Sequence, residues 1–559
     1  MKKGYKRIIS LLLVLLALFT LSSCNINNST SITNSSQSQT SGEAYVEPWK
    51  SGKTVEGVKI KYSLTNDDIT KATSDMERAS ALLKAETDYD TFVKILDEDL
   101  QKYVKKLNVA IRSEELLYDL YGKTENQNKS LEFKNAKVEY EEWLNDILHE
   151  IYHSGFKTLY YEGMTDQEIE EDIGEDYPER YYELNKLESQ LTADFYKLDS
   201  TSRGFVSEVD KLYKQMMAVH KELVSYYGYD DYFQYAYDNI YYRNYEISKT
   251  DSFLSLALKY VTDEYTKMWG EKEAAVSKLT KSEKEIYNKI IYGDSFTECF
   301  NYLDDYFNYF GGFVKEFADG LFCDGGYYYI TYEDNGYDGA YQYTLLQDDA
   351  PSHPFVLYGK GYHAATYVVH EFGHYMADMT NGSYTSYDGL ETQSQANEYL
   401  FFEYLTKYAN YGFSDNLKKA ILYDHYVDSY WTVVLGAVIN ELEKRCYSKD
   451  YEVGDLEKAI NDIYNKYPNL KNVYSKEAML NYTIYVVFES PAYYISYATS
   501  MMGALYIDKM AQTNYDAAKE AYRKLIYNVD RDYNITDLYT KCGLGDPFDE
   551  ETFNYIFSN

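Results

Sequence analysis

Apolar and polar positions alternate with a helical period over most of this chain. In "LLKAETDYDTFVKILDEDLQKYVKKLNVAI" and "FVSEVDKLYKQMMAVHKELVSYY", apolar residues recur at steps of three and four, the spacing of one face of an α-helix. From about Lys59 to Ile290 this pattern dominates. Pro178 is the only proline between Pro48 and Pro351, so little in this half breaks a helix. The texture changes near Gly311. "DGGYYYITYEDNGYDGAYQYTLL" carries aromatic and β-branched runs around Asn335-Gly336, which predicts a hairpin. "HPFVLYG" predicts one more short strand, and helical patterning then runs to the end. The expected body is mainly α, with one small sheet.

Residues 1–45 stand apart. "MKKGYKRIISLLLVLLALFTLSSC" has four basic residues, an apolar run from Ile8 to Leu21, and small residues before Cys24. That is the pattern of an export signal. Its end resembles a bacterial lipobox, which implies cleavage after residue 23, lipidation of Cys24 and a place on the extracytoplasmic face of the cell membrane. Residues 24–45 are dominated by Ser, Thr and Asn and cannot bury enough surface to order themselves, so they read as a flexible tether. A helical half over 46–250 and a second half over 251–559 follow.

The chain is 559 residues long with a formal net charge of −35. Residues 1–24 hold four of the positive charges and no acidic ones, so the remainder stands near −39. Such a body is a poor partner for nucleic acid. Four cysteines remain beyond Cys24, none in a C-x-x-C pair, which argues against a cysteine zinc site. The 69 tyrosines make any single tyrosine cluster weak evidence by itself.

The candidate chemistry lies in two copies of H-E-x-x-H. One spans His149, Glu150 and His153; the other spans His370, Glu371 and His374. On a helix, residues i and i+4 share a face, so two imidazoles can reach one Zn²⁺ while the intervening Glu addresses a water beside it. A third ligand is needed. Past the second copy lie Glu391 and, seven residues on, Glu398. One can bind metal while the other orients a histidine. The first copy is followed at once by Ser154-Gly155 and then by an acidic run, where a glutamate at any offset means little. His149 and His153 are expected to be ordinary helix residues, and His220, His363 and His425 structural ones. His353 opens the predicted strand and is expected to be structural too.

"YDGAYQYTLLQDDAPSHPFVLYGKGYHAATYVVHEFGHYM" resembles the oligoendopeptidase F and thimet oligopeptidase family, through Gly339-Ala340-Tyr341, the strand His353 to Leu357 and the His370–His374 helix with Gly373. "DGLETQSQANE" matches the family's second-helix pattern. The resemblance implies zinc, one ion per chain, on His370, His374 and Glu391, with Glu371 as general base and Glu398 behind a ligand. "SPAYYISYATSMMGALYI" is similar to the family's tyrosine segment, which assigns Tyr493 and Tyr497 to the substrate carbonyl; their spacing of four lets them share a helix face. A histidine that many relatives carry shortly before these tyrosines is missing here. The family fold implies two helical halves around a deep channel, with a substrate strand at His353–Tyr358. The function so implied is hydrolysis of short unfolded oligopeptides outside the cytoplasmic membrane. The alternative is a catalytically inactive surface lipoprotein that binds peptides.

Overall fold

The structure, a computed structural model, describes residues 60–558 except 200–201, 244, 294, 325–327, 332, 348–351, 382–386, 449 and 528–533. The expected signal segment, the tether and Cys24 lie outside the described residues. Within them the fold is mainly helical with one small sheet, and no helix is long and apolar enough to cross a membrane. Contacts divide the chain into two compact units. One holds residues 60–232 and 344–353; the other holds 233–343 and 354 onward.

The first unit is built from α1 (Asn66–Ala85), α2 (Leu100–Tyr121), α3 (Thr124–Tyr152), α4 (Glu179–Tyr196) and α5 (Phe205–Ser225). Thr65 starts α1 by accepting from the Asp68 amide at 3.2 Å, while the Asp68 carboxylate accepts from the Thr65 amide at 2.9 Å. Each such cap satisfies donors a helix end leaves open, worth about 1 kcal/mol. The apolar stripes of α1, α2 and α3 meet in a core that includes Leu83, Leu107, Tyr140, Leu144 and Ile151.

The second unit carries α6 (Ser248–Ser277), β1 (Tyr328–Ile330), all but the last two residues of β2 (Ala340–Leu345), all but the first of β3 (His353–Tyr358), α7 (Ala365–Asn381), α8 (Leu390–Glu403), α9 (Asp415–Tyr447), α10 (Ile495–Thr513) and α11 (Tyr515–Tyr527). α6 packs along α9, and α8 lies against α7 and α10.

The sheet corrects the predicted hairpin. The strand order is β1-β3-β2, and β1 runs parallel to β3 with Tyr329 opposite Leu357. A tight turn does form at Asn335-Gly336, where the Gly336 amide donates to the Glu333 carbonyl, but it does not pair its flanking strands. Phe355, Val356, Leu357 and Tyr358 of β3 are all buried, and a fully buried strand takes the centre of a sheet. The Gly359 amide donates to the Gly339 carbonyl at 2.8 Å, so the end of β3 lies beside the start of β2. Over Val356–Tyr358 both edges of β3 are therefore flanked, by β1 and by β2, so that stretch offers no open edge for the substrate pairing expected at His353–Tyr358.

Asp508 of α10 is buried, with Oδ2 accepting from the Tyr426 hydroxyl and the Gln512 amide, each at 2.7 Å, and Oδ1 unpartnered. Burial, aided by the charge of Glu403, pushes its carboxyl up to about 7 despite those bonds and Lys407. An unfolded Asp titrates near 3.9. Between about pH 4 and 7 the folded chain therefore holds a proton that the unfolded chain has lost. Stability from this group falls as pH rises through that window, by at most about 4 kcal/mol at 1.36 kcal/mol per unit. Asp508→Asn is expected to flatten the decline in denaturant-unfolding free energy between pH 5 and 8; a slope equal to that of the unaltered chain would refute it.

Candidate active site

α7 follows the sheet and carries His370 and His374 on one face, with ring centroids 5.0 Å apart. α8 brings Glu391 in its first turn, where a carboxylate is favoured by the helix dipole. Every α8 residue from Glu391 to Glu403 is buried, although four of them are Gln393, Ser394, Gln395 and Asn397. Asn397 accounts for part of this. Its amide donates to the Val369 carbonyl of α7 at 2.8 Å, and its oxygen accepts from Tyr306 at 2.7 Å. Gly373 explains the close approach. A Cβ there would lie 2.6 Å from the Ser394 Cα and 2.7 Å from the Gln393 carbonyl, so only glycine lets the two backbones come this near.

This approach delivers Glu391 to the imidazoles. Its Oε2 lies 3.3 Å from His370 Nε2 and 3.2 Å from His374 Nε2, and Ser394 Oγ donates to the same oxygen at 3.1 Å. Glu398 stands behind, with Oε1 2.5 Å from His370 Nδ1. Burial pushes His370 toward its neutral form, but hydrogen bonds to Glu391 and Glu398 and the charges of Glu398 and Glu371 reverse this and raise its pKa well above the ordinary value. Burial likewise opposes ionisation of Glu391, and the two imidazoles overcome it, holding the carboxyl well below the usual range. A proton between imidazole and carboxylate and a cation among three ligands are alternative ways to neutralise one cluster.

His370, His374 and Glu391 offer donor atoms that all lie within 4.8 Å of one another. With Nδ1 of His370 taken by Glu398, its Nε2 is the nitrogen that faces Glu391 and would face a cation. Two imidazole nitrogens and one carboxylate oxygen are the donor set of a catalytic zinc site that keeps a fourth position open. The residues present fit the ion. Glu371 lies beside them, 5 % exposed, with Oε2 unpartnered. Burial raises its pKa, the imidazoles lower it, and Glu391 and Glu398 raise it further.

Tyr493 and Tyr497 also reach this region, in a different arrangement from the one expected. α10 begins only at Ile495, so Tyr493 sits in the turn before it rather than on its face. The Tyr493 hydroxyl donates to Glu391 Oε1 at 2.9 Å, and the Tyr497 ring lies 5.2 Å from that of Tyr493.

The nearness of His425, expected to be structural, to the site was missed. On α9, its Nδ1 lies 3.6 Å from Glu398 Oε2, among Tyr399 and Phe402. No spacing rule links it to residue 398, because the contact joins separate helices. Also missed were Arg243 and Asp388, considered below. The first H-E-x-x-H copy builds nothing comparable. His149 sets Nδ1 against the Asn145 carbonyl at 2.9 Å and Nε2 against the Gly174 carbonyl at 3.2 Å, and α3 ends before His153. His220 pairs with Glu188 at 3.0 Å and stacks on Tyr232, as a structural histidine does.

The chain matches no family model and no curated protein sequence. Solved structures do resemble it. A candidate oligoendopeptidase F from Bacillus anthracis superimposes with a TM-score of 0.61 at 14% identity, covering 90% of this chain and 97% of that one. PZ peptidase A, solved with an inhibitor, gives 0.62 at 13% identity, with 89% and 97% covered. An oligoendopeptidase F from Enterococcus faecium gives 0.52 at 13% identity, with 88% and 96% covered. At these identities the likeness establishes a shared fold. The chain has the mainly helical fold of the oligoendopeptidase F structures, with a small sheet beside the helix that carries His370 and His374.

Proposed function

We propose that this protein is a zinc-dependent endopeptidase that hydrolyses short unfolded peptides. The observation that carries the reading is the convergence of His370, His374 and Glu391 beside the unpartnered, buried carboxylate of Glu371. The shared fold with structures named as oligoendopeptidases supports it.

His370, His374 and Glu391 would hold the ion. When bound, Zn²⁺ supplies Lewis acidity that lowers the pKa of a water molecule toward ~7 and polarises a peptide carbonyl. Glu371 takes the proton from the attacking water at Oε2 and later passes it to the leaving amine. Its enclosure matters, because a desolvated carboxylate is a stronger base than one in bulk water. Glu398 accepts from His370 Nδ1–H, which fixes the tautomer that leaves Nε2 free. The Tyr497 hydroxyl is assigned to the developing oxyanion. With Val356–Tyr358 of β3 flanked on both sides, a substrate backbone is assigned to β2, an edge strand among the described ones. Attachment to the outer face of the cytoplasmic membrane through a lipid on Cys24 rests on the pattern of residues 1–45 alone.

The test uses the purified protein, its metal content and a set of internally quenched fluorescent peptides. Cleavage of internal bonds that stops on chelation and returns with Zn²⁺ is the expected result. Peptide binding without turnover in the zinc-loaded protein would leave an inactive peptide-binding lipoprotein instead.

A further inference from the structure

A fully buried ion pair joins the two segments that meet at Glu391. The Arg243 Nε donates to Asp388 Oδ1 at 2.9 Å, and both side chains have no solvent exposure. Asp388 sits in the short turn Tyr387–Gly389 that leads into α8, three residues before Glu391. The remaining donors of Arg243 go to the turn that carries Tyr493. Nη1 donates to the Ala492 carbonyl at 2.8 Å; Nη2 donates to Ser496 Oγ at 2.7 Å and to the Tyr493 carbonyl at 3.2 Å. Asp388 is equally committed. Ser496 Oγ donates to its Oδ1 and the Tyr245 hydroxyl to its Oδ2, each at 2.6 Å. The guanidinium lies 4.3 Å from the Tyr237 ring centroid and 4.6 Å from that of Tyr241.

The turn is held from other sides too. The Tyr241 hydroxyl donates to the Pro491 carbonyl at 2.7 Å, and the Ala492 amide donates to Glu443 Oε1 at 3.0 Å. Ala492 itself has φ +63°, a left-handed conformation that a non-glycine residue keeps only where its surroundings impose it. The circuit closes at Glu391, which receives the Tyr493 hydroxyl at 2.9 Å. It runs from Arg243 to Asp388, along three residues to Glu391, across to Tyr493 and back to Arg243.

Burying two charges costs more solvation than an apolar pair would, so such a pair is weak evidence of stability. What this one does is fix geometry. Forked donors on a planar group set direction as well as distance. We propose that Arg243 and Asp388 are positioning residues that lock the Tyr493 turn onto the start of α8, so that Tyr493 orients the Glu391 carboxylate toward the two imidazoles. Tyr493 is then a support of the metal ligand, and Tyr497 is left to face the substrate. This rests on the reading of His370, His374 and Glu391 as metal ligands.

Two variants test it. Arg243→Lys keeps the charge and loses the fork. Tyr493→Phe removes one hydroxyl and leaves the ion pair intact, and it decides the matter should Arg243→Lys not fold. Zn²⁺ affinity is read by competition with a chromophoric chelator, folding by circular dichroism, and kcat and KM separately on a quenched peptide. The expected result is a 10- to 100-fold loss of Zn²⁺ affinity, the scale typical of lost support behind a ligand. A lower kcat and a nearly unchanged KM at saturating zinc are expected beside it. A folded Tyr493→Phe protein with unaltered Zn²⁺ affinity and reduced kcat would place Tyr493 on the substrate and overturn the proposal. If the unaltered protein binds zinc and cleaves nothing, the peptidase reading fails, and the affinity measurements still decide the positioning role.

Discussion

Glu371→Gln is expected to lower peptide hydrolysis by about 10²–10⁴-fold, the range a positioned general base contributes, with zinc content and fold unchanged. The substitution keeps the size of the side chain and removes only its ability to take a proton. Neither of the other two carboxylates in the cluster can take over. Glu391 is committed to the imidazoles and to Tyr493, and Glu398 to His370. Glu371 Oε2 has no partner to lose, so the amide disturbs no hydrogen bond of the resting protein. The check is a paired measurement of zinc per chain and turnover. Full turnover in a zinc-loaded Glu371→Gln protein would remove this residue from the mechanism.

His374→Ala is expected to abolish tight zinc binding, and turnover with it. A three-ligand site reduced to one imidazole and one carboxylate no longer encloses the ion, and the open position is lost as a defined place. Linkage gives a second readout. A ligand at 1,000 times its Kd stabilises the folded chain by about 4 kcal/mol, so adding Zn²⁺ raises the Tm of the parent protein and leaves that of His374→Ala in place. Loss of the Tm shift and loss of activity must go together. A His374→Ala protein that still takes up one zinc per chain and is stabilised by it would place the metal elsewhere.

The sequence made the proposed histidine ligands visible because their chemistry is local. His370 and His374 sit one helical turn apart, and that regularity survives without knowledge of the fold. Glu391 and Glu398, the first two glutamates after this helix and two turns apart, were legible as a pair, and the family pattern supplied only which of them to assign to the metal. The helical body was visible for the same reason as the histidine pair, because one face of a helix repeats within a few residues. The strand pairing was not, since burial decides which strand is central, and β3 won that place over the nearer partner of β1. Arg243 and Asp388 are 145 residues apart, and an arginine beside tyrosines in this chain looks like any other. Tyr493 was singled out through the family resemblance, as a residue for the substrate carbonyl. Its location in the turn before α10, and its bond to Glu391, follow from how α8 and α10 pack and from nothing within its own segment.

The central claim is that one divalent ion is held jointly by α7 and α8. Crystals grown with Zn²⁺ and measured on both sides of the zinc absorption edge test it most directly. The account predicts a single anomalous peak about 2.0–2.2 Å from His370 Nε2, His374 Nε2 and a Glu391 carboxylate oxygen. A peak at other residues, or none at these three in a fully folded, zinc-saturated protein, would contradict it.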